Sequence, residues 1–135
     1  MSDQPALSPL DALLGASVQA AVKMLSDDGE FYPFALAVTT AGEIVRPTVD
    51  AGSEHPSAEH VAALLLTALR ATRDTLAAAS ICSDVKIDMQ TGERRDAVRI
   101  ELEAPEADPL VVLVPYADAV LDEPFAMPGE RQVFA

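Results

Sequence analysis

The sequence predicts an α+β fold: an antiparallel five-stranded sheet with two main helices, in the order helix, hairpin, helix, three strands. Two observations predict it. Apolar residues recur at three- and four-residue steps in two stretches and at every second position in others, so the helical and the strand period are both present. The 135 residues, half of them apolar, are also enough for one core, and 1–135 reads as a single domain.

Residues 1–7 carry no period and read as a frayed arm. Ser8 then offers a cap, Pro9 a preset φ for the first helical position and Asp11 a carboxylate suited to the helix start. Leu10, Leu13, Leu14, Val18, Ala21, Val22 and Leu25 form the stripe of this helix, and Asp28-Gly29 stops it. From Phe31 the period is two. Phe34, Leu36 and Val38 give a bulky face, and Ala35, Ala37 and Thr39 a small one, which permits close approach of a helix or a second subunit. Ala41-Gly42 turns into a second strand over 43–49, and Pro47 makes that strand an edge.

Ser57 caps a second helix expected to run to about residue 79 on the stripe Val61, Leu64, Leu65, Ala68, Leu69, Thr72 and Leu76. Ile81, Ser83, Val85, Ile87 and Met89 alternate with Cys82, Asp84, Lys86, Asp88 and Gln90, giving a third strand with a charged outer face. Thr91-Gly92 turns the chain, and Val98, Ile100 and Leu102 alternate with Arg99, Glu101 and Glu103 in a fourth. The run 110–115 is apolar at every position, so both its faces are covered and it belongs in the centre of the sheet. Residues 117–135 read as an irregular tail packed on the body.

Charge and cysteine usage exclude several functions. Nine basic residues against 22 acidic ones give a net charge of −13, which a nucleic-acid backbone repels. The lone Cys82 forms no internal disulfide and cannot build a multi-cysteine metal site, so a reducing cytoplasm is the expected compartment. No apolar run approaches the ~20 residues of a membrane helix, and no secretory signal opens the chain. Neither GxSxG, GxGxxG nor GxxxxGK occurs, so no cofactor is expected.

Two groups of residues carry a candidate function. Glu54, His55, Glu59 and His60 hold both histidines and two carboxylates, atoms suited to a metal or to proton transfer. The histidines, however, are five apart across a proline, not the four that put two imidazoles on one helical face. Phe31, Tyr32, Phe34, Phe125 and Phe134 form a candidate interaction surface, with core packing of the tail on the first strand as the simpler account. Acidic groups at Asp27-Asp28-Glu30 and elsewhere suit a basic partner or merely keep the chain solvated.

With the run 110–115 in the centre, the sheet order becomes 2-1-5-4-3, which resembles roadblock and profilin-like folds; that resemblance implies a sheet among helices and frequent dimerisation. Phe31-Tyr32-Pro33-Phe34, Glu54-His55-Pro56 and Pro124-Phe125-Ala126-Met127-Pro128-Gly129-Glu130 look like recurring stretches of small uncharacterised bacterial proteins, a likeness that implies no activity. The expectation is a non-enzymatic cytoplasmic interaction module, a homodimer or the binder of a basic protein, with no nucleic acid or membrane partner. The alternative is a small enzyme or a ligand- or metal-binding protein using Glu54, His55, Glu59 and His60.

Overall fold

The computed structural model describes residues 8–135, so the arm expected over 1–7 lies outside it. Helix α1 spans Pro9–Asp28. Ser8 Oγ accepts from the Asp11 amide at 3.2 Å and donates to the Asp11 carboxylate at 2.8 Å, a reciprocal cap that satisfies a helix-end donor. Gly29 closes the helix at φ +77°, a conformation a Cβ disfavours, and its N–H donates to the Leu25 carbonyl. Strands β1 (Phe34–Thr39) and β2 (Ile44–Val45) form a hairpin with β2 at the sheet edge, but β2 has only two residues instead of the expected 43–49 and ends before Pro47, which has no N–H to pair.

Helix α2 spans Ala58–Ala71, capped by Ser57 Oγ on the His60 amide. It ends at Ala71, about two turns before the expected residue 79. A single 3-10 turn, Arg73–Thr75, then leads into β3 (Leu76–Asp88). Leu76, Ala78 and Ala79 have helical propensity, but their backbone pairs with β1: Thr39 faces Leu76, Val38 faces Ala78 and Ala37 faces Ala79. Strand pairing inside the core overrides a local preference worth only tenths of a kcal/mol per residue. Strands β4 (Arg94–Ala104), β5 (Ala107–Ala117), β6 (Val120–Leu121) and β7 (Phe125–Pro128) complete an antiparallel sheet ordered β2-β1-β3-β4-β5-β6, with β7 also on β5.

The sheet therefore has seven strands rather than five, and its order replaces the expected 2-1-5-4-3. The place beside β1 is filled by β3, which enters it directly from the 3-10 turn; Thr40 N–H donates to Thr75 O at 2.9 Å at that junction. The apolar run of β5 is nevertheless shielded on both faces: Val111, Val112, Leu113 and Val114 are all buried. Val112 and Val114 join the α1 cluster. On the other face Val111 stands between Glu101 and Met127, and Leu113 between Arg99 and Phe125. Full cover thus comes from neighbouring strands and long side chains, not from a central position.

The two helices lie on opposite faces. Leu13, Ala21 and Leu25 of α1 pack on Phe34, Leu36, Val38, Ala78, Cys82, Val98 and Ile100. Val61, Leu65 and Leu69 of α2 pack on the small face of β1, Ala35 and Ala37, with Ala79 and Ile81. The expected charged outer face of β3 is also corrected: Ser80 and Cys82 are buried beneath α1, and only the part beyond them opens to solvent.

Residues 117–135 contribute β6 and β7 and then cross the sheet as a strap. Gly129 lies so near β5 that an added Cβ would stand 3.1 Å from the Leu110 amide nitrogen. Arg131 donates to the carbonyls of Ala104 and Ala107, while Arg70 and Arg73 donate to those of Gln132 and Ala135. Glu103, expected on the solvent face, is buried and accepts from the amides of Gln132 and Val133 at 2.8 and 2.9 Å. Beside it Val133 is 2% exposed. Glu103→Ala leaves those amides without acceptors and should lower unfolding free energy by about 2–3 kcal/mol in urea denaturation, with a smaller loss for Glu103→Gln.

Candidate functional site

Five residues, 29–33, join α1 to β1, and they turn at the mouth of an open cleft of about 650 Å³. Its walls come from α1 (Met24, Asp28), the joining segment (Glu30, Phe31, Tyr32, Pro33), Arg46 beyond β2, Ala58 at the start of α2 and Asp84 of β3. The Phe31 ring lies against Phe34, centroids 5.4 Å apart and planes inclined at 60°. Phe34 is buried, Phe31 half-buried, and Tyr32 is 53% exposed. The Arg46 guanidinium carbon sits 5.2 Å from the centre of the Phe34 ring, within the range of a cation–π contact.

The three carboxylates differ in their partners. Asp84 accepts a 2.6 Å hydrogen bond from the Tyr116 hydroxyl. Burial, then that bond and the Asp84 charge, raise the Tyr116 pKa, so the phenol stays protonated and fixes Asp84 in place. Asp28 and Glu30 have no hydrogen-bond or ion-pair partner among the described residues. The cleft therefore combines aromatic surface with negative charge, a setting that attracts cations.

Two of the five residues of the candidate interaction surface, Phe31 and Tyr32, line this cleft, and Phe34 underlies it. The other two lie outside the cleft, and of them only Phe134 packs on a cluster that includes residues of the first strand, Ala35 and Ala37. Phe125 pairs with Leu113 on the far side of β5, four strand spacings or ~19 Å from β1. Phe134 packs on the α2-side cluster with Val133. Glu54 and His55 lie in the loop before α2, Glu59 and His60 in its first turn, and all four side chains are exposed. None of the four lines the cleft, and no group of three or more metal-ligating side chains occurs among the described residues.

Arg46 and Asp84 are cleft residues that sequence reading did not single out. For Asp84 a signal was present: it has the same strand parity as Ser80 and Cys82, so it faces α1 with them. Arg46 carries no such signal, because it reaches the cleft only through the course of the chain around β2.

Cys82 is fully buried, and desolvation pushes its thiol up to about 12, against the lowering effect of Ser17 and Ser80. It is therefore a packing residue. No helix among the described residues is long and apolar enough to cross a membrane. Comparison with protein-family models, curated proteins and solved structures finds no match.

Two outcomes follow for the buried acids. Native protein should resist thiol reagents, with labelling of Cys82 tracking unfolding in denaturant. A group whose pKa is raised by folding stabilises the protein fully below its unfolded value and loses that effect as pH climbs toward the folded one. Stability should therefore fall as pH rises above 9.0, the ordinary thiol value, in thermal melts, and Cys82→Ala should flatten that decline.

Proposed function

We propose that this chain is a non-enzymatic interaction module that holds a basic protein partner, with the cleft at the junction of α1 and β1 as the contact region. The observation that carries the reading is the meeting of exposed aromatic surface with Asp28, Glu30 and Asp84 in one concavity of a chain whose net charge is −13. A negative field speeds encounter with positive surfaces, and aromatic groups then supply contact area at low entropic cost. The same reading makes the protein a cytoplasmic homodimer. In its support stand the single free thiol and an apolar strip along β7, where Phe125 and Met127 are exposed on one face.

Calorimetric titration with a short arginine- and lysine-rich peptide tests the partner reading. Binding that weakens steeply between low and moderate salt is expected, since exposed charges are screened over roughly 10 Å at physiological ionic strength. No heat of binding at low salt would reject it. Light scattering at micromolar concentration should return twice 14.2 kDa, and a mass of 14.2 kDa would reject the dimer.

A further inference from the structure

We infer that the cleft is a seat for one arginine side chain of the partner, and that Arg46 is the chain's own guanidinium at its entrance. This inference rests on the basic-partner reading and goes further by fixing the place and the chemistry of the contact.

Three independent features point to a planar cation. First, the end of α1 is electrostatically unrelieved. The last carbonyls of a helix carry partial negative charge and are ordinarily neutralised by a Lys or Arg in the final turn. Here the final turn has no basic residue and ends in Asp27, paired with Lys23 one turn back, and Asp28, which has no partner among the described residues, so like charge is stacked on the negative pole. A cation arriving there relieves an arrangement that costs the free protein stability.

Second, the aromatic surface is oriented for a cation. The Phe34 ring already holds the Arg46 guanidinium at 5.2 Å, which shows that a planar cation fits against this wall. Arg46 is exposed, and it forms no ion pair with any carboxylate among the described residues. Asp28 and Glu30 therefore remain available, with the exposed Tyr32 ring beside them. Third, the acids come from three elements, α1, the joining segment and β3, so they can meet different N–H groups of one ligand. A guanidinium offers five donors in a flat fork and stacks on rings, whereas an ammonium is a compact point charge; the combination of rings and dispersed acids fits the former.

Arg46 then competes with the ligand. Its positive charge opposes a second guanidinium, so it must swing outward on binding, and its removal should tighten the complex. That sign is opposite to the effect of losing any carboxylate wall, and it gives the site a signature that general surface charge lacks.

The test uses the full chain and a blocked glycine–arginine peptide, with the same peptide carrying neutral citrulline in place of arginine as its control. Amide signals of residues 28–32 and Arg46 should shift on titration with the arginine peptide and stay fixed with citrulline. Tyr32→Ala should weaken binding by about tenfold and Tyr32→Phe much less, because the ring and not the hydroxyl makes the contact. Tyr32 is exposed, so neither variant threatens folding. Arg46→Gln should tighten binding by several-fold more than Arg73→Gln, which removes the same charge at the far end of α2, roughly 20 Å away. Equal effects of the two arginine variants, or unchanged affinity in Tyr32→Ala, would overturn the arginine seat while leaving a basic partner bound elsewhere. Failure of the wild-type chain to bind any basic peptide would overturn both.

Discussion

Everything in this fold depends on how closely two helices can approach the same pair of strands from opposite sides. β1 and β3 carry small residues toward both: Ala35, Ala37 and Ala79 toward α2, Ala78 and Ser80 toward α1. The measure of the approach is the Ser17–Ser80 pair, whose hydroxyl oxygens lie 2.8 Å apart with both residues at 1% exposure or less. A hydroxyl pair in that position satisfies itself where no water reaches, and it leaves no room for a longer side chain without overpacking. The seating of α1 in turn sets the cleft, since only five residues separate its end from β1.

The cleft is the place where the chain departs from what stability alone would favour. Lys23 pairs with Asp27 across one helical turn at 3.4 Å, but an exposed pair of that kind contributes little. It leaves Asp28 and Glu30 beside a negative helix pole. Elsewhere some exposed acids are answered nearby, Asp96 by Lys86 and Asp122 by Arg95, both at 2.8 Å, the latter bond holding the Asp122 carboxyl below its ordinary pKa. What sets the cleft apart is that its unpaired acids meet aromatic rings in one concavity, a local disagreement with folding of the kind that binding sites show.

Much of the architecture was legible in the residues because local chemistry and tertiary structure agreed there. Ser8, Pro9, Asp11 and Gly29 mark both ends of α1, and Thr91-Gly92 marks the β3–β4 turn, where Gly92 takes φ +85°. Where they disagreed, the reading failed. Leu76 to Ala79 continue a helical stripe yet pair as strand, and Glu103 alternates as a solvent residue yet is buried because the strap brings amides to it. The β5–β6 turn was hidden for another reason. Asp118 and Ala119 adopt positive φ of 51° and 64°, and alanine there carries none of the Asn-Gly signature by which such turns are recognised. As for the site, Phe31, Tyr32 and the acids around residue 28 were visible as groups, but nothing in a linear chain reports that Arg46 and Asp84 join them.

The uniform apolarity of β5 carries a second lesson that bears on the proposed homodimer. A run apolar on both faces must be covered, but cover does not require the middle of a sheet. Here β7 supplies part of it, and β7 is itself exposed along Phe125 and Met127. Residues 124–129 form an uncharged segment in a chain of net charge −13. Two copies carrying that charge repel at long range, so a stable contact between them has to exclude water where neither copy brings a carboxylate. The β7 strip, bordered by Asp108, comes nearer to that condition than the cleft, whose walls hold Asp28, Glu30 and Asp84. Because the strip lies ~19 Å across the sheet from β1, a second copy on one edge and a cationic partner on the other would not compete for the same surface.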